Sequence, residues 1–209
     1  MSEYTLYAAP NTYAMSAHAI LEEVKANYDV KWIEIFTNKP DPGFLSISPH
    51  CRSPALMTPN GGIFETGAIA MYLGEKFPKF NLIIKPEDPR RGLFLQWFYY
   101  LGTTLQPDVM IQFHPEFYIK DKKNIAEFQK ASFIRLNGVF KILDEALQGG
   151  PFFFGDELTI LDFLLATQTI WKEIFPAGID QYKNLHRHMK AITERTAVRS
   201  ILKKHPINE

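Results

Sequence analysis

The residues best suited to chemistry lie between His50 and Ala68, in the stretch HCRSPALMTPNGGIFETGA. Ser53-Pro54 stands just before the apolar triplet Ala55-Leu56-Met57. A proline entering a short strand is often cis, and the bond then turns the preceding residue's N–H and C=O outward, where an extended ligand backbone can pair with them. Glu65-Thr66-Gly67 opens a helical pattern, with a hydroxyl where a cap would stand and a carboxylate beside it. The unpaired N–H groups of a helix start attract a carboxylate. Such a pair of features fits a small peptide. Pro59-Asn60-Gly61-Gly62 between them is turn chemistry, because proline fixes φ and Asn and Gly tolerate positive φ.

The remaining reactive side chains read as structural. Cys51 is the only cysteine and stands in a loop outside any helix start, where a small loop residue is the simplest account. His18 reads as a packed or surface residue of the first helix. His114, His186 and His188 do not combine with carboxylates or cysteine at a metal-like spacing, so no metal is expected. Thr159 with Asp162 three residues on forms a capping box in its Asp variant, with Leu158 and Phe163 placed as the hydrophobic staple.

Elements must hold these residues in place. Tyr4–Ala8 reads as a strand, and Ala17, Ile20, Leu21 and Val24 recur at helical spacing after Tyr13. Val30–Ile35 reads as a second strand, Asn38–Gly43 as loop, and Phe44–Ile47 as one helical turn. Two strands flank the Asn60-Gly61 turn, and a helix follows from Thr66 to Phe77. The order β-α-β-(α)-β-β-α combines a parallel pair with an antiparallel hairpin, which makes a small mixed sheet with helices packed on it. The period fades across the proline-rich stretch from Pro78 to Pro89, and beyond it the chain reads as all helical. Leu93–Leu105 is apolar nearly all round, as in a helix buried on more than one side, and Pro107 and Pro115 interrupt the segment after it. Asn124–Leu147 is a long helix with Phe133, Leu136, Phe140, Leu143 and Leu147 on one face. Further helical segments are expected from Thr159 towards Pro176, over Gln181–Glu194 and over Val198–Lys204. The expected division is residues 1–80, a linker over 81–89, and a helical domain over 90–209.

Length and composition agree with a globular protein. The 209 residues suffice to bury a core in one large or two small domains. The 23 basic and 23 acidic residues cancel, so no overall field draws the chain to nucleic acid or to a membrane surface. The lone cysteine excludes an internal disulfide and fits a reducing cytoplasm. Neither a secretory signal nor a membrane-spanning run is read from the sequence.

Three pieces together resemble the cytosolic glutathione transferases, in particular the bacterial beta and nu types: LYAAPNTYAMSAHAILEE, SPAL…GGIFETGAIAMYL and FGDELTILDF. The resemblance spans nearly the whole chain. It implies an α/β thioredoxin-like N-terminal domain, an all-α C-terminal domain, a homodimer, and glutathione as co-substrate. Pro54 would be the cis-proline, and Ser53 would pair its backbone with the cysteinyl part of the ligand. Glu65 and Thr66 would hold the γ-glutamyl end. His50, Arg52 and Lys39 are all candidates for the glycyl carboxylate. The reaction needs the ligand as thiolate. The resemblance places Tyr13 where that thiolate would be stabilised, with Asn11, Thr12 and Ser16 behind it and Tyr7 one residue out of register on the first strand. Gln106 and Pro107 replace a His and a Lys that beta-type enzymes carry there.

The expected function is conjugation of glutathione to a small apolar electrophile, with Tyr100, Met110 and Phe113 lining the electrophile's pocket. Detoxification is the role this implies. The alternatives are a glutathione-dependent disulfide reductase or peroxidase, and a binding protein that kept the fold without turnover. Disulfide exchange of the thioredoxin kind is disfavoured, because no Cys-x-x-Cys exists.

Overall fold

The computed structural model describes residues 2–205, which form two compact units, residues 2–83 with 192–205 and residues 84–191. The C-terminal segment belongs with the first unit, although its helical character alone groups it with the second.

In the first unit, β1 (Tyr4–Ala8) pairs in parallel with β2 (Tyr28–Trp32), Tyr4 opposite Tyr28 and Ala8 opposite Trp32, across the crossover helix α1 (Ala14–Glu23). β1 also pairs antiparallel with β3 (Ala55–Thr58), and β3 with β4 (Gly61–Phe64), giving the order β2-β1-β3-β4. This is the mixed sheet expected from the sequence. The second strand starts two residues earlier than its β-propensity suggests, because pairing with β1 sets its register. The period-2 alternation of a strand sorts side chains between two faces. Tyr4, Leu6 and Ala8 are buried, and Tyr4 meets Tyr72 and Phe77 of the α3 region (α3, Thr66–Lys76) at ring distances of 6.5 and 6.1 Å. Tyr7, Ala9 and Ala55 turn to the opposite face and pack with Ile33, Phe44, Ile47 and Cys51.

That second face is covered by α2 (Pro42–Leu45). It begins two residues before the turn read from the sequence, because Asp41 caps it, accepting the Phe44 N–H at 2.8 Å, and Pro42 occupies the first helical position, where its missing N–H costs nothing. In the β3–β4 hairpin Gly61 has φ +118°, and a Cβ on Gly62 would stand 2.6 Å from an Ile47 methyl carbon. Both glycines are therefore required, one by conformation and one by space. α9 (Thr196–Leu202) packs on α1, and Arg195 pairs with Glu23.

The second unit is helical. α4 (Arg91–Tyr99) passes through a π-helical segment (Tyr100–Leu105) directly into α5 (Gln106–Phe113). The expected break at Pro107 does not occur. A proline offers no N–H to the preceding turn, and the widened π turn ends just before it, so the helical path continues. Phe94, Leu101 and Leu105 are buried, but Leu93 and Tyr99 are exposed, so the all-round apolar pattern here is not all-round burial. On α6 (Ile125–Ala146) and its end, Leu136, Phe140, Leu143 and Leu147 are buried as their spacing predicts. Every residue of α7 (Ile160–Thr169) is buried, and α8 (Lys183–Thr193) follows. No described helix is long and apolar enough to cross a membrane.

Candidate functional site

The loop before β3 carries the first expected feature. The Ser53–Pro54 bond is cis. Pro54 is buried, and Ser53 stands two residues before β3 begins, so its own peptide groups lie outside the strand ladder. Ser48 holds the loop from behind: its hydroxyl donates to the Arg52 carbonyl at 2.9 Å and accepts the Arg52 N–H at 3.1 Å. Cys51, at φ +53°, donates its N–H to the Ser48 carbonyl. Nothing in the sequence singled Ser48 out, since its partner is a backbone group fixed only by the loop's closure.

The second feature lies at the start of α3. The N-cap is Glu65, one residue before the position read from the sequence, and Thr66 is the first helical residue. Glu65 has φ +72° and ψ +118°, a conformation that costs an L-residue about 1–3 kcal/mol. Its side chain caps nothing and is exposed, while Thr66 is buried. The first-turn N–H groups of α3 have no intrahelical acceptor. A strained, exposed carboxylate beside open helix donors is suited to an ammonium and a carboxylate carried by one ligand.

The third piece is the turn from β1 into α1. Asn11 is left-handed at φ +50°, and Tyr13 is the N-cap of α1. Burial pushes the Tyr13 phenol well above its ordinary pKa, so it keeps its proton and has an O–H to donate. Ser16 is buried and donates to the Tyr13 carbonyl at 2.8 Å, while the Thr12 hydroxyl donates to the Ala9 carbonyl at 2.8 Å. Both hydroxyls thus donate their protons to backbone carbonyls. Tyr7 lies on the α2 face, stacked on Phe44 at 5.9 Å with the Lys31 ammonium 5.3 Å from its ring centre. Strand alternation places it on the face of β1 opposite to Tyr4, Leu6 and Ala8.

Of the three candidates for the glycyl carboxylate, His50, Lys39 and Arg52 are all exposed, and Arg52 is already engaged in an interaction. Lys31, which the sequence did not suggest, is an exposed cation already paired with Asp41 at 2.8 Å. In the second unit, Tyr100 lies in the π-helical segment, its phenol pKa raised by burial and by the Asp108 charge. Met110 and Phe113 are three residues apart on α5, and Phe113 meets Trp171 edge-on at 5.4 Å. All three are half-buried. Gln106 accepts a hydrogen bond from the buried Gln168. No cluster of three or more His, Cys, Asp or Glu residues that could hold a metal ion occurs among the described residues.

A four-stranded mixed sheet with a cis-proline entering its third strand, joined to an all-helical unit, is a thioredoxin-like domain with the helical domain of the glutathione transferases. The sequence matches the glutathione S-transferase N-terminal domain over residues 2–75 and the glutathione S-transferase C-terminal domain over residues 107–196. The chain belongs to the glutathione S-transferase family. Among its relatives is the glutathione S-transferase-like protein OpS6 of Beauveria bassiana, 26% identical over 207 residues, covering 94% of this chain and 93% of that protein. Glutathione S-transferase GstA of Escherichia coli O157:H7 is 21% identical, covering 94% and 96%. A solved glutathione transferase homologue from Sulfitobacter with bound glutathione superposes with a TM-score of 0.88 at 22% identity, covering 99% of this chain and 100% of that one.

Proposed function

We propose that the chain binds glutathione on its first unit and transfers it, as the thiolate, to a small apolar electrophile. The observation that carries this reading is the strained, exposed Glu65 at the open N-terminus of α3, in the same unit as the cis Ser53–Pro54 bond. In this reading Glu65 takes the ligand's ammonium and Thr66 its α-carboxylate. Ser53 and Pro54 receive the cysteinyl segment, and His50, Arg52 or Lys39 meets the glycyl carboxylate. Tyr13, held protonated by burial, donates to the sulfur and favours the thiolate; holding thiolate and target carbon in register supplies much of the rate. Tyr100, Met110 and Phe113 supply apolar surface for the electrophile. The protein works as a homodimer in the cytoplasm, where glutathione keeps thiols reduced.

Calorimetry with glutathione, together with turnover of a halogenated nitrobenzene and of a hydroperoxide, tests the proposal. Binding with conjugation is expected. Turnover of the hydroperoxide alone would move the assignment to a glutathione-dependent reductase or peroxidase. Binding without any turnover would leave a binding protein. No binding would overturn the reading.

A further inference from the structure

The hydroxyls of Ser53 and Thr12 form a ring of hydrogen bonds that begins and ends on one residue. The Ala9 N–H donates to Ser53 Oγ at 2.9 Å, Ser53 Oγ lies 3.2 Å from Thr12 Oγ1, and Thr12 Oγ1 donates to the Ala9 carbonyl at 2.8 Å. The direction of the middle bond comes from proton counting. A threonine hydroxyl has one proton and two lone pairs. Thr12 commits its proton to the Ala9 carbonyl, so the proton between the two hydroxyls is that of Ser53. Thr12 Oγ1 also accepts the Ala14 N–H at 3.3 Å, which uses its second lone pair. The Thr12 hydroxyl therefore has neither a proton nor a lone pair left for a ligand.

The ring joins chain segments more than 40 residues apart: residues 9–12, which lead from β1 into α1, and the residue before the cis-proline. It also replaces the ladder, since Ala9 lies one residue past the end of β1 and gives its N–H to a side chain. We infer that Ser53 and Thr12 are a positioning pair that fixes where the sulfur held at Ser53–Pro54 lies relative to the N-terminus of α1 and the Tyr13 phenol, and that Thr12 is not itself a thiol activator. The inference rests on the proposed binding of glutathione. Its physical basis is that a donor acts on a thiolate only within hydrogen-bond distance, so a few tenths of an ångström between the two segments changes the thiol's acidity more than it changes total affinity.

The test uses the full chain and the variants Ser53→Ala, Thr12→Val, Ser53→Thr and Thr12→Ser. Amide exchange of Ala9 by NMR reads the ring without any ligand. Ala9 exchange is expected to speed up about tenfold or more in Ser53→Ala, and to speed up in Thr12→Val, while Thr12→Ser and Ser53→Thr keep the protection. The ultraviolet absorbance of bound glutathione as a function of pH reads the thiolate. In Ser53→Ala and Thr12→Val its pKa is expected to rise by about one unit, a tenfold smaller thiolate fraction, with the glutathione Kd within about threefold of the unaltered protein. Unchanged Ala9 exchange in both variants would overturn the ring. A thiolate titration that coincides with that of the unaltered protein would overturn the positioning role, and so would a raised pKa that Thr12→Ser fails to restore. If the unaltered protein binds no glutathione, the positioning role falls with the proposed function, and the exchange data still decide the ring.

Discussion

The contact between α1 and the residues after α9 predicts a loss of stability at mildly acidic pH. His18 Nδ1 and His205 Nε2 are 2.9 Å apart, and both side chains are fully buried. Tyr28 and Trp32 of β2 enclose them, with the Trp32 ring 4.8 Å from that of His205. Glu22 and Lys204 are the charged groups that face the pair, 3.3 Å from each other. Burial, helped by the Lys204 charge against a smaller opposing effect of Glu22, lowers His18 from 6.5 to about 4. Burial, then the neighbouring His18 and Lys204, lowers His205 to about 3.

The sign is set by proton uptake. Between pH 6.5 and about 4 the unfolded chain binds protons at these histidines and the folded chain does not, so stability falls as pH falls through that window. A displacement from 6.5 to about 4 corresponds to about 3 kcal/mol for a single histidine, a large part of the stability of an ordinary domain. Urea titrations followed by tryptophan fluorescence should show a midpoint that falls between about pH 7.5 and about pH 4.5. Carboxylates titrate in the same range, so the comparison is with His18→Gln/His205→Gln. That double variant should start less stable at neutral pH and lose much less on acidification. If its midpoint falls in parallel with that of the unaltered protein, the buried pair is not the source and the argument fails.

Other perturbations act on single contacts. Asp162 is buried and accepts the Phe153 N–H at 3.0 Å, the Thr159 N–H at 2.7 Å and the Thr159 hydroxyl at 3.0 Å, and it lies 3.1 Å from His188 Nε2. Asp162→Ala should therefore cost about 3–5 kcal/mol, against about 1 kcal/mol for Thr159→Ala, which keeps the backbone bond; equal losses in thermal melts would contradict this account. Glu65→Gly should relieve the positive φ and raise stability by about 1 kcal/mol while weakening glutathione binding, and calorimetry beside a melt separates the two effects. Tyr13→Phe removes a donor to a charged sulfur, so the bound thiol's pKa should rise and kcat/KM fall about 10- to 100-fold. An unchanged thiol pKa would remove Tyr13 from the site.

Much of this molecule is set by short-range rules that can be read along the chain. The β-α-β unit arises from Ala17, Ile20, Leu21 and Val24 lying between two strand-forming runs, and the hairpin from Asn60-Gly61. The Thr159/Asp162 box stands where three-residue spacing put it. The Ser53–Pro54 bond is cis, as its place before a short strand suggested. In each case the deciding partners lie within a few residues, so local sequence contains the whole argument.

Other features depend on where distant segments end up. Tyr7 and Tyr13 could both donate a phenol, and only the alternation of β1 above α2 separates them. Thr12 looked like part of the chemistry, yet its hydroxyl is taken by Ala9 and by Ser53, 41 residues on. Glu65 takes its positive φ where the chain leaves β4 and enters α3, and residue type does not disclose it. His18 meets His205 across 187 residues, and its neighbours in sequence give no hint of a partner. Local spacing thus determined the elements and marked the stretch proposed to hold the ligand. Tertiary closure decided which hydroxyls and ring nitrogens remain available, because a hydrogen bond commits a proton according to distance in space, and distance along the chain does not predict it.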